Sequence, residues 1–213
     1  MKANSTSNAI AIFDQFAEGY QEKYMDQGLY RESLDLFCSQ LSTPNAHILD
    51  AGCGPGNISR YLLKKRPDLQ ILGIDLSPNM LALARKNNPS GDFRKMDCRN
   101  IDRLNQKFDG IVAGFCLPYL SEEEMEKFIK DAAAKLNPDG LLYISTMEDD
   151  TERSGWKTSS SGKKPELYIR YCQAASLVKA LEENQLKVLD LRRVKNPQEK
   201  EETCQDLLLI AKK

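Results

Sequence analysis

The chain has 213 residues, with 30 Lys and Arg against 31 Asp and Glu and a formal net charge of −1. This length predicts a single domain, and the balanced charge excludes the basic excess of nucleic-acid-binding proteins, so we expect no nucleic-acid partner. The apolar stretches fall well short of the roughly 20 residues that cross a bilayer, and the start MKANSTSNAI lacks a signal-peptide core, so we expect a cytoplasmic protein without membrane contact.

Helical and strand-like patterns alternate from the start of the chain. From Asn8 to about Leu41, apolar residues recur at helical spacing with an interruption near Gly28, which predicts two helices. HILDAG (47–52) is typical of a strand, NISRYLLKKR (57–66) of a helix and LQILGID (69–75) of a second strand. These segments predict a β-α-β unit.

The alternation continues after the second strand. Ser77 and Pro78 are typical of an N-cap and a first helical residue, and they predict a helix through LALARK. Ser121 and Glu124 predict a capping box at the start of another helix, which is followed by the turn NPDG. The remaining predicted elements of this part are the strands GDFRKMD (91–97), FDGIVAGF (108–115) and LLYISTM (141–147) and the helix SEEEMEKFIKDAAAKL (121–136).

The C-terminal part predicts a helix and a hairpin. AASLVKALEEN is amphipathic, and the strands LKVLDLRRV and CQDLLLIAKK are separated by the charged run KNPQEKEE (195–202), so they should pair antiparallel at least in part. We interpret that run and TSSSGKK (158–164) as surface loops.

The alternating pattern predicts an α/β fold, a Rossmann-like doubly wound sheet with helices on both faces. Ligands of such sheets bind beyond the carboxyl ends of the strands. Asp50 to Gly56, Asp75, Asp97 and Phe115 each follow a predicted strand, so we expect these four stretches to meet at one edge.

The glycine turn at this edge predicts the charge of the ligand. G-C-G-P-G fits neither the P-loop spacing nor the dinucleotide G-x-G-x-x-G, although glycines allow a ligand to lie against bare backbone and helix-start amides. Asp50 would repel a phosphate and attract an ammonium or sulfonium group. The turn therefore predicts a cationic ligand without phosphate.

The next two strand ends predict a nucleoside. Asp75, about twenty residues after the turn, is placed to accept hydrogen bonds from both hydroxyls of a ribose. Asp97 is a candidate acceptor for the exocyclic amine of adenine, and Leu76, Met80 and Cys98 are candidates to sandwich the base. A nucleoside joined to a cationic amino acid describes S-adenosylmethionine. The six cysteines contain no C-x-x-C pair, so we expect no metal site.

Four motifs closely resemble those of the class I S-adenosylmethionine-dependent methyltransferases. They are D-A-G-C-G-P-G, I-D-L-S, M-D-C and F-D-G-I-V-A-G-F-C-L. The resemblance implies a seven-stranded, mostly parallel sheet whose last strand is antiparallel. It also implies cofactor contacts from Gly52, Gly54, Asp75, Asp97 and Phe115, with Asp50 near the methionine end.

The N-terminal stretch FDQFAEGYQEKY also looks like the cofactor-covering helices of this family. That similarity would place Tyr20 or Tyr24 over the methionyl part, where a ring face attracts a sulfonium. Both tyrosines lie on an apolar stripe, and we expect one of the two to be core instead.

Methyl transfer from a sulfonium requires mainly alignment of the acceptor, and S-adenosylhomocysteine is the product. Where the acceptor carries a proton, the weak candidates for a general base are Tyr119, Tyr171 and Glu148. His47 opens the first strand and should lie at the opposite edge, so it is rejected. Tyr119, Trp156 and Tyr171 also give the expected acceptor pocket an aromatic character.

The sequence leaves the acceptor open. We expect a small molecule methylated at O, N or C, because the charge is balanced and no D/N-P-P-[YFW] motif follows the fourth strand. Alternatives are a protein that binds S-adenosylmethionine without turnover and a methyltransferase of protein or RNA. A nicotinamide dehydrogenase is disfavoured by the glycine spacing.

We expect one methyltransferase domain over 1–213, as a monomer or homodimer. Its regions are N-terminal cofactor-covering helices (1–44), a cofactor-binding core (45–147), a lid or substrate region (148–172), and a C-terminal helix with a β-hairpin (173–213).

Overall fold

A computed structural model describes residues 3–158, 166–195 and 203–213. The strands are β1 (His47–Ala51), β2 (Gln70–Asp75), β3 (Asp92–Lys95), β4 (Phe108–Gly114), β5 (Leu136–Glu148), β6 (Gly155–Thr158), β7 (Glu166–Ile169), β8 (Lys187–Val194) and β9 (Gln205–Lys212). The helices are α1 (Ala3–Gln15), α2 (Ala17–Tyr24), α3 (Arg31–Gln40), α4 (Asn57–Lys65), α5 (Pro78–Asn87), α6 (Glu122–Lys135) and α7 (Ala174–Glu183). Short 3-10 helices cover Gly28–Tyr30, Cys98–Arg103, Leu117–Tyr119 and Thr151–Arg153.

Seven strands form the principal sheet in the order β3-β2-β1-β4-β5-β9-β8, among the described residues. Neighbours from β3 to β5 pair parallel, and β9 pairs antiparallel with both β5 and β8. The predicted Rossmann-like fold, its antiparallel last strand and the β8–β9 pairing are confirmed. The carboxyl ends of β1 to β4 lie together at one edge, as the strand ends predicted.

Successive residues of the central strands bury their side chains on opposite faces of the sheet. Leu49 belongs to the cluster with Phe128 of α6 and Leu177 of α7, whereas Ile48 belongs to the cluster with Phe37 of α3. Burial on both faces explains why these strands are continuous apolar runs.

Both predicted helix caps are present. The Met80 amide donates to the Ser77 hydroxyl at 3.0 Å at the start of α5, and α6 begins with the Ser121–Glu124 capping box.

Two predictions about elements were wrong, and one element was missed. The first predicted helix is two, because Phe16 has non-helical φ −111° and ψ 25° and separates α1 from α2. α6 ends at Lys135, and the stretch predicted as the turn NPDG lies in β5, where Asp139 has φ 62° and the pairing with β4 shifts register. The strands β6 and β7 pair as a small antiparallel sheet, which the sequence did not predict.

Two predicted surface loops, 158–164 and 195–202, lie outside the described residues except for Thr158 and Lys195. In the part of the chain that the structure describes, no helix is both long and apolar enough to cross a bilayer.

Candidate functional site

The glycine turn joins β1 to α4 and brings the end of β4 against it. Gly52 has φ +74°, and a Cβ added there would lie 2.8 Å from the Cβ of Cys116. Gly56, with φ +75°, is the residue before α4. Glycine at 52 therefore allows a left-handed backbone and close contact with the residue after Phe115.

Amides of the turn donate within the fold. Gly52 and Cys53 donate to the Ile74 carbonyl at 2.8 and 3.0 Å, Gly56 donates to the Cys53 carbonyl at 2.9 Å, and Gly54 donates to Asp75 Oδ2 at 2.9 Å. None of these four amides belongs to α4, so the expectation that helix-start amides face the ligand stays a prediction. Because these four amides are engaged, they do not form a nest for a phosphate, which agrees with the predicted cationic ligand.

Asp50 is a buried carboxylate beside this turn. It is 1% exposed, and the Ser59 hydroxyl of α4 donates to its Oδ2 at 2.6 Å. Burial raises the pKa of Asp50 to about 6, against the opposing effect of the Ser59 hydrogen bonds. A buried carboxylate of this kind gains most from a cation placed next to it.

Asp75 ends β2 and holds the turn in place. Its Oδ2 accepts from the Gly54 amide and its Oδ1 from the Ser77 amide, both at 2.9 Å. Burial raises its pKa, and these backbone hydrogen bonds act in the opposite direction. Since each carboxylate oxygen has two lone pairs, each keeps one for a ligand hydroxyl.

Asp97 follows β3 and is held by one neighbour. The Arg99 backbone amide donates to Oδ1 at 2.9 Å, and Arg99 Nη2 donates to Oδ2 at 2.6 Å. Burial alone would raise the pKa of Asp97, but the hydrogen bonds from Arg99 outweigh it and lower that pKa. Asp97 is therefore an ionised acceptor at this edge of the sheet.

An aromatic cluster from α1 and α2 covers the glycine turn. Tyr20 Cε1 lies 3.9 Å from a Cβ built on Gly54. The ring of Tyr20 packs on Tyr24 at 4.7 Å and on Phe13 at 5.7 Å between centroids, and Phe13 packs on Tyr119 at 5.0 Å. Tyr20 is thus the tyrosine over the turn, whereas Lys23 Nζ lies 4.7 Å from the ring centroid of Tyr24.

The other predicted cofactor contacts lie around these acids. Phe115 has φ 52°, donates its amide to the Ser145 carbonyl at 2.9 Å and packs on Tyr30 at 5.4 Å between centroids. Leu76 is half-buried directly after Asp75, and Met80 is 2% exposed in the first turn of α5. Cys98 is half-buried and packs against the core beneath the sheet edge.

The three candidate bases have different surroundings. Tyr119 lies in the aromatic cluster, and burial raises its pKa, so its hydroxyl is neutral at ordinary pH. Tyr171 is 2% exposed, with Lys157 Nζ 5.5 Å from its ring centroid. Glu148 accepts from Arg193 Nε at 2.5 Å and from the Ala174 amide at 2.9 Å. These bonds engage both oxygens of Glu148, which argues against its use as a base.

His47 is exposed at the start of β1, at the edge opposite the acids, as predicted. In the described ranges, no group of three or more His, Cys, Asp or Glu is arranged to hold a metal ion.

The sequence analysis missed Asp14, Ser59 and Arg99. Asp14 Oδ1 accepts from the Ser77 hydroxyl at 2.7 Å and from the Asn79 amide at 3.0 Å, which fixes α1 to the start of α5. No local signal distinguishes these residues. The Asp-x-Arg spacing of Asp97 and Arg99 also occurs at two other ion pairs of the chain, 92/94 and 190/192.

A family model described as a methyltransferase domain matches residues 48–140. The match covers less than half of the chain, and over this range it supports the resemblance to the class I S-adenosylmethionine-dependent methyltransferases. The matched range contains Asp50, the glycine turn, Asp75, Asp97 and Phe115, and it ends before the predicted substrate region. The resemblance therefore rests on the sheet edge, and Tyr20 and Tyr171 lie outside the match.

Curated relatives align with this chain over part of their length. The malonyl-[acyl-carrier protein] O-methyltransferase of Enterobacter lignolyticus is 28% identical over 151 residues, which cover 69% of this chain and 57% of the relative. The trans-aconitate 2-methyltransferase of Methylobacterium nodulans is 29% identical over 146 residues, which cover 68% and 55%. The chain thus matches less than two thirds of the length of either relative.

Solved structures share the fold of this chain at low identity. The 1,6-didemethyltoxoflavin-N1-methyltransferase of Burkholderia thailandensis, crystallised with its substrate and S-adenosylhomocysteine, has a TM-score of 0.74 and 21% identity, covering 100% of this chain and 90% of that chain. The [4+2]-cyclase SpnF has a TM-score of 0.65 and 19% identity, covering 85% and 80%. The same fold therefore occurs in proteins named for different reactions.

Proposed function

We propose that the chain binds S-adenosylmethionine at the carboxyl edge of the sheet and transfers its methyl group to an O, N or C atom of a small molecule. This is a reaction of the general class EC 2.1.1.-. The observation that carries the proposal is the pair of acids around the glycine turn, Asp50 buried within it and Asp75 hydrogen-bonded to it at 2.9 Å.

The residues present fit this cofactor. Asp50 offers a buried negative charge for the ammonium or sulfonium, Asp75 keeps lone pairs for the two ribose hydroxyls, and Asp97 offers an acceptor for the adenine amine. Tyr20 lies over the turn, where its ring face would meet the sulfonium. The four turn amides already donate hydrogen bonds within the fold, so they are not available to bind a pyrophosphate.

In this proposal the chain promotes methyl transfer by aligning the cofactor with the acceptor. Bound S-adenosylmethionine supplies a methyl group on a sulfonium, whose sulfur keeps the bonding pair and leaves as the neutral thioether of S-adenosylhomocysteine. α1 and α2 cover the turn and exclude water, and Asp50 and Asp75 fix the two ends of the cofactor. Positioning of this kind contributes roughly 7 to 11 kcal/mol in well-oriented reactions.

The acceptor proton, where there is one, leaves through a group at this edge or to water. Tyr119 is neutral because burial raises its pKa, so in this proposal it orients an acceptor by a hydrogen bond and does not take the acceptor proton. The region 148–172 and the 3-10 helix Leu117–Tyr119 supply the acceptor pocket in this proposal. The names of the relatives support small acceptors, one of them carried on a protein.

A second candidate is a protein that binds the cofactor without methyl transfer. The likeness to the cyclase SpnF favours it, because that protein shares the fold and is named for a different reaction. The two candidates share the cofactor site and differ only in turnover.

Isothermal titration tests the cofactor site. The wild type should bind S-adenosylmethionine and S-adenosylhomocysteine and not NAD. Asp75→Asn and Asp75→Ala should weaken binding by roughly 10-fold or more, because hydrogen bonds to charged groups contribute about 1.5–3 kcal/mol. Asp92→Ala, at an exposed acid of β3, is the matched control and should bind like the wild type.

Turnover separates the two candidates. Wild-type protein that binds the cofactor is incubated with methyl-labelled S-adenosylmethionine and a panel of small acids, phenols and amines. Label in an acceptor, lost in Asp75→Ala, supports the methyltransferase. Binding of the cofactor without label in any acceptor favours the second candidate.

A further inference from the structure

Arg99 surrounds the carboxylate of Asp97 with donors. Its backbone amide and Nε reach Oδ1 at 2.9 and 3.0 Å, while Nε and Nη2 reach Oδ2 at 2.9 and 2.6 Å. A carboxylate accepts about four hydrogen bonds. The Nε–H group is shared between the two oxygens, so Arg99 supplies three N–H groups in all. The carboxylate therefore has room for one further donor.

The guanidinium of Arg99 is itself held from the other side. Arg99 Nη1 donates to Glu124 Oε1 at 2.7 Å, and Glu124 Oε2 accepts from the Ser121 amide at 2.8 Å. Arg99 thus bridges the acid at the end of β3 and the capping box of α6. Its planar fork suits two carboxylates at once, which a lysine cannot match.

An exposed pair of the same spacing provides a comparison. Arg94 donates to Asp92 on β3, and their side chains are 62% and 52% exposed. The side chains of Arg99 and Asp97 are 31% and 17% exposed. The half-buried pair lies at the sheet edge where the nucleobase is proposed to bind, and the exposed pair does not.

The orientation of Asp97 has a consequence for base selection. A fixed ionised carboxylate attracts an exocyclic amine and repels a carbonyl oxygen at the same position. A carboxylate free to rotate or to become protonated discriminates less, because a protonated acid can donate to a carbonyl.

We propose that Arg99 is a positioning residue for the nucleobase: it fixes Asp97 so that its remaining acceptor site selects the amine of adenine. This inference rests on the proposed function, because it requires the adenosyl group at this edge. It goes beyond the cofactor contacts already proposed by assigning base selectivity to a residue that need not touch the base.

The test compares two ligands by isothermal titration. One is S-adenosylhomocysteine, and the other is S-inosylhomocysteine, in which a carbonyl replaces the exocyclic amine. The wild type should prefer the adenosyl ligand by roughly 10- to 100-fold, the discrimination expected for one charge-assisted hydrogen bond. Arg99→Ala should reduce that ratio to within about threefold of unity, and Arg99→Lys should restore part of it.

Three controls separate this role from a structural one. Arg94→Ala removes the exposed pair of the same spacing and should leave the ratio at its wild-type value. Glu124→Gln keeps an acceptor for Ser121 and removes the charge facing Arg99, so it should give an intermediate ratio. Circular dichroism and thermal unfolding check each fold, and Arg99→Lys and Glu124→Gln carry the test if Arg99→Ala does not fold.

The outcomes are distinguishable from failure of the proposed function. A wild type that does not bind S-adenosylhomocysteine overturns the cofactor proposal, and this inference with it. A wild type that prefers the adenosyl ligand, with Arg99 variants that keep the same ratio, overturns this inference alone. Equal weakening of both ligands in those variants assigns Arg99 a structural role and also overturns it.

Discussion

Ser59 donates its hydroxyl to Asp50 across 2.6 Å, in an environment where Asp50 is 1% exposed. The bond ties the first turn of α4 to the end of β1. It offsets only part of the cost of burying this carboxylate, since the pKa of Asp50 is raised from 3.8 to about 6 by burial. The free protein thus holds a charge that destabilises it and that a cationic ligand would stabilise.

Asp50→Asn should stabilise the free protein. A carboxylate whose pKa rises on folding stabilises the protein at low pH and loses that contribution as pH rises through its folded pKa. The difference in free energy of unfolding between the variant and the wild type should therefore grow between pH 4 and pH 6 and stay constant at higher pH. It should reach up to about 3 kcal/mol for a pKa raised from 3.8 to about 6. Thermal unfolding across pH measures it, and a gap that does not change with pH would contradict the prediction.

The same variant should lose cofactor affinity. Wild-type affinity for S-adenosylmethionine should fall as pH drops below about 6, where Asp50 takes up a proton. Asp50→Asn should bind weakly at every pH and show no such decline. Isothermal titration between pH 5 and pH 8 distinguishes the two proteins, and a wild-type affinity independent of pH would argue against a cation beside Asp50.

Tyr20→Leu should change the balance between cofactor and product. A ring over a sulfonium contributes about 0.5–2 kcal/mol, so affinity for S-adenosylmethionine should fall roughly 2- to 30-fold, and affinity for the neutral thioether should fall less. Tyr20→Phe keeps the ring and should retain the preference. Tyr61→Leu in α4 is the control and should leave both affinities unchanged, since Lys65 Nζ lies 5.6 Å from that ring centroid and the ring is outside the aromatic cluster. Equal losses for both ligands in Tyr20→Leu would refute a sulfonium contact.

Local patterns predicted much of the sheet and its edge. The apolar runs of β1, β2 and β4, the cap at Ser77 and the turn at Gly52 depend on neighbouring residues, so the sequence alone carries them. The convergence of Asp50 and Asp75 then follows from the parallel topology.

The sequence patterns did not predict contacts between distant segments of the chain. Asp14 meets Ser77, and Arg99 meets Glu124, only because helices pack together in the fold. Glu148 was a weak candidate for a general base, yet packing of α7 and β8 engages both its oxygens. The break at Phe16 lacks proline or glycine at that residue, so helical spacing alone predicted a continuous helix.

Asp14→Ala should loosen the helices that cover the site. Asp14 fixes the end of α1 through the Ser77 hydroxyl and the Asn79 amide, at 2.7 and 3.0 Å. Loss of these bonds should speed dissociation of S-adenosylhomocysteine by roughly 10-fold, for about 1–3 kcal/mol of hydrogen bonding, and raise hydrogen exchange in α1. Asp26→Ala removes only a local bond to the Gly28 amide and serves as the control. Unchanged dissociation and exchange in Asp14→Ala would contradict the prediction.

Gly52→Ala should destabilise the chain where the turn meets β4. The residue has φ +74°, and the added Cβ would lie 2.8 Å from the Cβ of Cys116. A left-handed alanine costs about 1–2 kcal/mol and overpacking about 1–3 kcal/mol, so the free energy of unfolding should fall by about 2–5 kcal/mol.

A double variant and a second glycine show whether close contact causes that loss. Cys116→Gly removes the contacting Cβ, so Gly52→Ala should cost less in its presence, with only the backbone strain remaining. Gly19→Ala in α2 places a Cβ with no heavy atom within 4 Å and should stabilise the chain by about 0.5–1 kcal/mol. Urea unfolding measures the wild type and the four variants. If Gly52→Ala lowers the free energy of unfolding equally with and without Cys116→Gly, the contact between residue 52 and Cys116 does not cause the loss of stability.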